Sequence, residues 1–241
     1  MSTRPSQLHF GRAVLLVAIV VTGAVFWDSA VLLPFKLLSV MGHETGHALS
    51  SLIVGGSVDR VTLRLDESGA CLSRIPDGFF ARVIVYSAGY VGSAIISVLL
   101  LVLSFRFNAR RMMLAAACGW LALMGLIYAR DGFTLLFALV MAGLFGVGAK
   151  WLPDALVGAL NIFIASFTAL YAVMDLKDDL WNSAVRSQSD AQLLADLTVV
   201  PAIAWAALWT LISVAVLLGG AWLALRGKPA TTSPDLESGR L

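Results

Sequence analysis

Seven long apolar runs divide this chain of 241 residues. A helix needs roughly 20 mainly apolar residues to cross a bilayer, and most of the runs approach or exceed that length. Hydrophobic residues make up 59% of the chain and charged residues only 13%, a balance that is rare in soluble domains. The sequence therefore predicts an all-α polytopic membrane protein with six or seven transmembrane helices. The runs are residues 13–27, 35–54, 82–105, 112–128, 133–149, 155–175 and 199–225.

Little of the chain remains outside these runs. We predict one membrane-embedded domain over residues 1–226, interrupted by a loop at 55–80 and an acidic loop at 176–198. Residues 227–241 mix Pro, Ser, Thr and charges without apolar periodicity, so a disordered tail is expected there. The formal net charge of +2 is too small to indicate a nucleic-acid partner. The expected partners are the lipid bilayer and membrane proteins, and no pattern in the sequence indicates an oligomeric state.

The loop at 55–80 has a pattern of its own. Val61, Leu63 and Leu65 alternate with polar residues, and a turn-forming segment at 67–69 precedes a second, shorter alternating run. Period-two alternation on both sides of a turn is typical of a β-hairpin. We therefore predict a small hairpin directly after the second apolar run.

The second apolar run contains two of the chain's three histidines, in the order His43-Glu44-Thr45-Gly46-His47. Positions four apart share one face of a helix, so both imidazoles can reach a single metal ion, with the glutamate beside it. Histidine and glutamate are costly inside a bilayer and usually indicate a functional site there. This HExxH pattern predicts one zinc ion per chain, with His43 and His47 as ligands and Glu44 as the catalytic base.

A catalytic zinc commonly has three protein ligands, so a further ligand is required. The sixth run ends in an acidic cluster whose members, Asp175, Asp178 and Asp179, share a helix face. Counting the crossings places the ends of the second and sixth runs at the same membrane face. His47 lies about 10 Å below that face, and Asp175 reaches a similar depth. We favour Asp175 as the third ligand and keep Asp178 and Asp179 as substitutes or as partners of the ligands.

These motifs resemble those of the M50 peptidases, which include the site-2 proteases, and in particular their M50B-like branch. The resemblance rests on the motif helix at 41–48, on Gly55-Gly56 and the hairpin after it, and on the small-residue stretch at 87–92. It extends over residues 37–209. It implies a zinc-dependent endopeptidase with its site inside the membrane and a late aspartate as third ligand. The family's aspartate is usually followed by glycine, whereas Leu176 follows Asp175.

The motif and the resemblance together predict hydrolysis of peptide bonds in membrane-associated proteins by a metal-activated water. A transmembrane substrate helix must unwind before cleavage, because its amides are already hydrogen-bonded. The hairpin residues Val61, Leu63 and Leu65 are predicted to offer a strand edge to the unwound segment. The expected location is a bacterial plasma membrane.

Other classes of protein remain open. A catalytically silent relative that binds partner proteins is the main alternative, although silent relatives usually lose a motif residue and this HExxH is intact. A zinc-dependent membrane enzyme of another specificity is a second alternative. A metal transporter is disfavoured, since the interiors of the third to fifth apolar runs are nearly devoid of charge.

Overall fold

The computed structural model describes residues 10–106, 109–182 and 189–226. Over these residues the chain forms eight α-helices and one two-stranded antiparallel sheet, so the prediction of an all-α fold with one small hairpin is confirmed. A 3₁₀ turn at Ala30–Leu32 leads into the second helix, and a π-helical turn at Met124–Tyr128 extends the fourth. The elements are α1 (Phe10–Val25), α2 (Leu33–Ile53), β1 (Ser57–Leu63), β2 (Gly69–Arg74), α3 (Phe79–Arg106), α4 (Arg110–Leu123), α5 (Gly132–Trp151), α6 (Asp154–Trp181), α7 (Asp190–Leu197) and α8 (Ala202–Leu225).

Five helical segments in the described ranges are long and apolar enough to cross a membrane. The two remaining predicted spans differ from them for separate reasons. The helix α1 is apolar but has only 16 residues. The helix α2 has 21 residues, and its polar side chains, such as Lys36 and Glu44, lower its mean hydropathy. The five segments are Phe79–Phe105, Arg110–Tyr128, Gly132–Trp151, Asp154–Lys177 and Ala202–Leu225.

The helix α3 packs against α2, α6 and α8 and so lies at the centre of the bundle. It runs parallel to α8, because Trp209 donates a hydrogen bond to Ser87 while Gly220, further along α8, packs against Val98. Three crossing helices, α4, α5 and α6, lie between them in the chain, and a parallel pair requires an odd number of such crossings. The end of α2, the start of α3 and the end of α6 therefore lie at one face of the bundle, as the sequence predicts.

The hairpin folds back along α2 and forms part of the bundle wall. Its turn reaches the beginning of that helix, where Lys36 Nζ and Glu67 Oε1 form an ion pair of 2.8 Å. Lys36 is buried and also lies 4.4 Å from the centre of the Trp27 ring. A buried ammonium group needs such partners, so these contacts fix the position of the turn. The segment expected as a loop outside the bundle is thus a packed element beside the motif helix.

The strand β1 is covered on its outer edge by the turn between α4 and α5. Val61 forms a bridge with Ala129, and the amide of Leu63 donates to Thr134 Oγ1 at 2.8 Å. The side chains of Val61 and Leu63 are both buried in the core. The edge of the hairpin that remains open belongs to β2.

Candidate metal centre

His43 and His47 lie one turn apart on α2, and their Nε2 atoms are 3.0 Å from each other. A carboxylate from the distant helix α7 completes the arrangement. Asp190 Oδ2 lies 3.2 Å from His43 Nε2 and 2.9 Å from His47 Nε2. The two imidazoles and this carboxylate are close enough to bind a single metal ion.

The donor set fits zinc in both chemistry and spacing. Two imidazole nitrogens with one carboxylate oxygen form a known ligand set of catalytic zinc. Donors about 2.0–2.1 Å from a tetrahedral zinc lie about 3.3 Å from one another. The three donor separations here are 3.0, 3.2 and 2.9 Å, slightly shorter than that value.

The backbone of α3 passes directly over these donors at Gly89. A Cβ atom at this position would overlap His43 Nε2 and would lie 2.5 Å from His47 Nε2. On the facing helix α2, a Cβ at Gly46 would overlap the carbonyl oxygen of Ala88, the residue before Gly89. The helices α2 and α3 are therefore in backbone contact here. Glycine at position 89 therefore allows the α3 backbone to approach the two imidazoles so closely that no side chain fits between them.

The second nitrogens of the two histidines face different oxygen groups. His47 Nδ1 donates to the carbonyl oxygen of Val85 at 2.7 Å, and this bond leaves the Nε2 lone pair directed at the centre. His43 Nδ1 faces the carboxylate of Asp175 at 3.9 Å, too far for a direct hydrogen bond. The His43 ring also makes an edge contact with Tyr90, which stacks on Trp209. These neighbours hold both rings toward Asp190.

Thr45, inside the motif, anchors the opposite face of α2. Its hydroxyl donates to the carbonyl of Met41 at 2.7 Å and accepts from Trp120 Nε1 at 3.1 Å. The bond to Trp120 ties α2 to α4. These bonds of Thr45 keep α2 rotated so that both imidazoles face α3 and α7.

The predicted third ligand and the observed neighbour of the two histidines are different residues. Asp175 lies near the site, as expected, but on the Nδ1 side of His43, away from the atoms that face Asp190. The side chains of Asp178 and Asp179 lie outside the described part of the chain. Sequence reasoning missed Asp190. The only local signal for it is the short segment 190–197, which has a serine before it and an apolar face.

Packing of α7 brings Asp190 into the bundle. Ala191 and Leu194 are fully buried in a cluster with Leu176 and Trp209. Burial acts to raise the pKa of the Asp190 carboxyl, but attraction to His47 and hydrogen bonds with both imidazoles outweigh it. The pKa therefore lies well below its usual range. Asp190 is ionised at neutral pH, as a metal ligand must be.

Glu44 lies between the histidines and the hairpin. Its side chain lies against β2 at Gly69, and the residue is only 6% exposed. A cleft of about 850 Å³ opens beside it, lined by both histidines, Asp175, Asp190 and the residues of β2. The open edge of β2 therefore faces Glu44.

The predicted strand edge at Val61 and Leu63 is instead packed inside the protein, while Leu65, beyond the end of β1, is exposed.

These features define a multi-pass membrane protein with a potential metal centre of two histidines and one aspartate inside the helical bundle. The profile of the Peptidase M50B-like family matches residues 16–220, which is most of the chain. The chain belongs to this family, and its membership suggests a metallopeptidase. Neither the curated proteins nor the solved structures include a significant match to the chain.

Proposed function

We propose that this protein is a zinc-dependent intramembrane endopeptidase with one zinc ion per chain, bound by His43, His47 and Asp190. The observation that carries the proposal is the triangle of three donor atoms beside the close backbone approach at Gly89, with Glu44 in the same cleft. The family is typically zinc-dependent, in agreement with this donor set. The family and the five apolar segments support a multi-pass membrane protein, and we propose a bacterial plasma membrane as its location.

Zinc bound at this centre would polarise a peptide carbonyl and lower the pKa of a water molecule. Glu44 lines the cleft and is placed to accept the proton of the attacking water. It then delivers that proton to the leaving amine nitrogen. Gly69 of β2 lies against the Glu44 side chain and limits its movement within the cleft.

The open edge of β2 is the best candidate for holding an unwound substrate segment. An extended segment pairs its backbone groups with a free strand edge, and the edge here lies against Glu44. This assignment moves the expected substrate contact from Val61 and Leu63 on β1 to the neighbouring strand. It also places the scissile bond of a membrane protein substrate beside the proposed centre.

The direct test of the proposed chemistry is Glu44→Gln. Glutamine keeps the size of the side chain but cannot take up a proton, so turnover is expected to fall by about 10²- to 10⁴-fold with zinc content unchanged. Cleavage of a panel of labelled single-span membrane proteins in liposomes measures the rate, and metal analysis measures zinc. Cleavage by the variant at the wild-type rate would refute the role of Glu44. Wild-type protein that binds zinc and cleaves no member of the panel would favour a silent, partner-binding relative.

A second variant tests the position of Glu44 without changing the residue itself. A Cβ atom at Gly69 would lie 2.5 Å from a Val40 methyl carbon and 2.6 Å from Glu44 Oε1. Gly69→Ala is therefore expected to displace the carboxylate and lower turnover at least tenfold, with zinc retained. Gly42→Ala is the matched control, because a Cβ there meets no atom within 4 Å. Equal rates for the two variants would contradict this geometry.

A further inference from the structure

Three exposed arginines line a second cleft on the other side of the hairpin from Glu44. Arg60 lies on the outer face of β1 and Arg64 directly follows the strand, and both alternate with the buried side chains of β1. Arg130 lies in the turn between α4 and α5. The cleft has a volume of about 540 Å³. Its floor is formed by Thr62 and Leu72 of the hairpin. The volume and the three guanidinium groups suit a single anionic group of headgroup size.

The residues that line this cleft carry a net positive charge, although Asp66, outside its lining, lies near enough to Arg64 to interact with it electrostatically. Throughout the described ranges, no carboxylate lies within ion-pair distance of Arg60, Arg64 or Arg130. Asp131 is the acidic residue that lines the cleft, and both of its oxygens accept hydrogen bonds from Thr134. Three guanidinium groups and one carboxylate leave a net charge of about +2.

The ends of the apolar segments place Arg130, at one side of the cleft, at the level of a membrane surface. Arg130 falls between two segments that are long and apolar enough to cross a bilayer, Arg110–Tyr128 and Gly132–Trp151. Lipid phosphates occupy the layer just beyond the ends of such segments. Guanidinium groups bind phosphate through paired hydrogen bonds, which a single surface lysine cannot provide.

We propose that Arg60, Arg64 and Arg130 form a binding site for the phosphate group of an anionic membrane phospholipid. The hairpin borders both this site and the proposed metal centre: its residues Thr62, Arg64 and Cys71 line both clefts. A bound headgroup holds the hairpin from one side while the Cys71 backbone contacts Glu44 on the other. This link to activity rests on the proposed peptidase function, whereas the lipid site itself does not.

Retention of lipid by the purified protein tests the site directly. Wild type and the variant carrying Arg60→Gln, Arg64→Gln and Arg130→Gln are titrated with phosphatidylglycerol in detergent micelles, and bound lipid is measured by native mass spectrometry. Each arginine near a membrane surface contributes about fivefold to anionic lipid binding, so a loss of roughly 100-fold is expected for the triple variant. Arg74→Gln is the matched control, because Arg74 also lies on the hairpin but is paired with Asp59 at 3.3 Å.

Two further arms identify the source of the phosphate. Phosphatidylcholine, which carries no net charge, is expected to bind wild type and the triple variant equally weakly. Inorganic phosphate at 20 mM is expected to leave most of the phosphatidylglycerol bound, and complete displacement would overturn the assignment to a lipid. Retention of phosphatidylglycerol by the triple variant at the wild-type level would also overturn it.

The single variants and a folding measurement keep the test decisive. Circular dichroism in detergent shows whether each variant is folded. If the triple variant does not fold, the single variants replace it, and each single substitution is expected to weaken phosphatidylglycerol binding about fivefold. Zinc content is expected to be unchanged in all of them. Because lipid retention is measured without substrate, failure of the peptidase proposal would leave this result intact.

Discussion

Replacing Gly89 with alanine is expected to abolish zinc binding while the helical bundle remains folded. The α3 backbone lies against the two imidazoles, and the added methyl carbon would overlap His43 Nε2 and displace the ring. Metal content of the purified variant is expected to fall from about one zinc per chain to near zero. Peptidase turnover is expected to fall with it.

The physical reason is that the added Cβ atom would meet two imidazole rings that are held in place and cannot easily turn away. A clash with the end of a flexible side chain would be relieved by a change of rotamer. Here the imidazoles are held by Val85, Asp190 and Tyr90, and α3 cannot easily move away from α2 because α6 and α8 also pack against it. Alanine also has a higher helix propensity than glycine, so the substitution does not weaken α3 by itself.

Gly92→Ala is the matched control for this experiment. Gly92 lies one turn further along α3, and a Cβ atom there meets its nearest neighbour, the Gly46 Cα, at an ordinary distance of 3.7 Å. This variant is expected to retain full zinc content. Wild-type zinc affinity in Gly89→Ala would show that the metal does not bind between α2 and α3.

A pair of aspartate variants gives the second large effect. Asp190→Asn is expected to lower zinc affinity by more than about 100-fold, since the carboxylate oxygen is one of the three proposed donor groups. Asp175→Asn is expected to keep one zinc per chain and to lose no more than about 10- to 100-fold in affinity. That smaller loss is typical of residues that orient a ligand without binding the metal.

Competition with a chromophoric zinc chelator measures both affinities on the same scale. The two substitutions have the same size and the same charge change, so each serves as the control for the other. A larger loss with Asp175→Asn than with Asp190→Asn would reverse the assignment of the third ligand. The combined Asp178→Asn and Asp179→Asn variant is expected to bind zinc as wild type does.

The parts of the site that follow from helix periodicity could be predicted from the sequence. The positions of His43 and His47 on one face depend only on the spacing of residues within a single helix. The count of membrane crossings is also a local property of the apolar runs, and it placed the end of α6 near the motif. Asp175 is accordingly found within 4 Å of His43.

The remaining parts depend on packing between segments that are distant in the chain. Asp190 reaches the histidines because Ala191 and Leu194 dock against α3, α6 and α8, and nothing in an eight-residue helix predicts that partner. Likewise, the alternation in β1 indicates that Val61 and Leu63 share a face. It does not indicate whether that face meets a substrate or the core, and the contacts with Ala129 and Thr134 place it in the core.

X-ray absorption spectroscopy of the zinc-loaded wild-type protein in detergent tests the central claim most directly. With metal analysis on the same sample, the proposed centre requires about one zinc per chain, bound by two imidazole nitrogens and by oxygen at about 2.0–2.2 Å. Protein that stays metal-free after incubation with zinc would contradict the claim. A sulfur ligand at about 2.3 Å would contradict it as well, because it would assign the metal to a cysteine instead of Asp190.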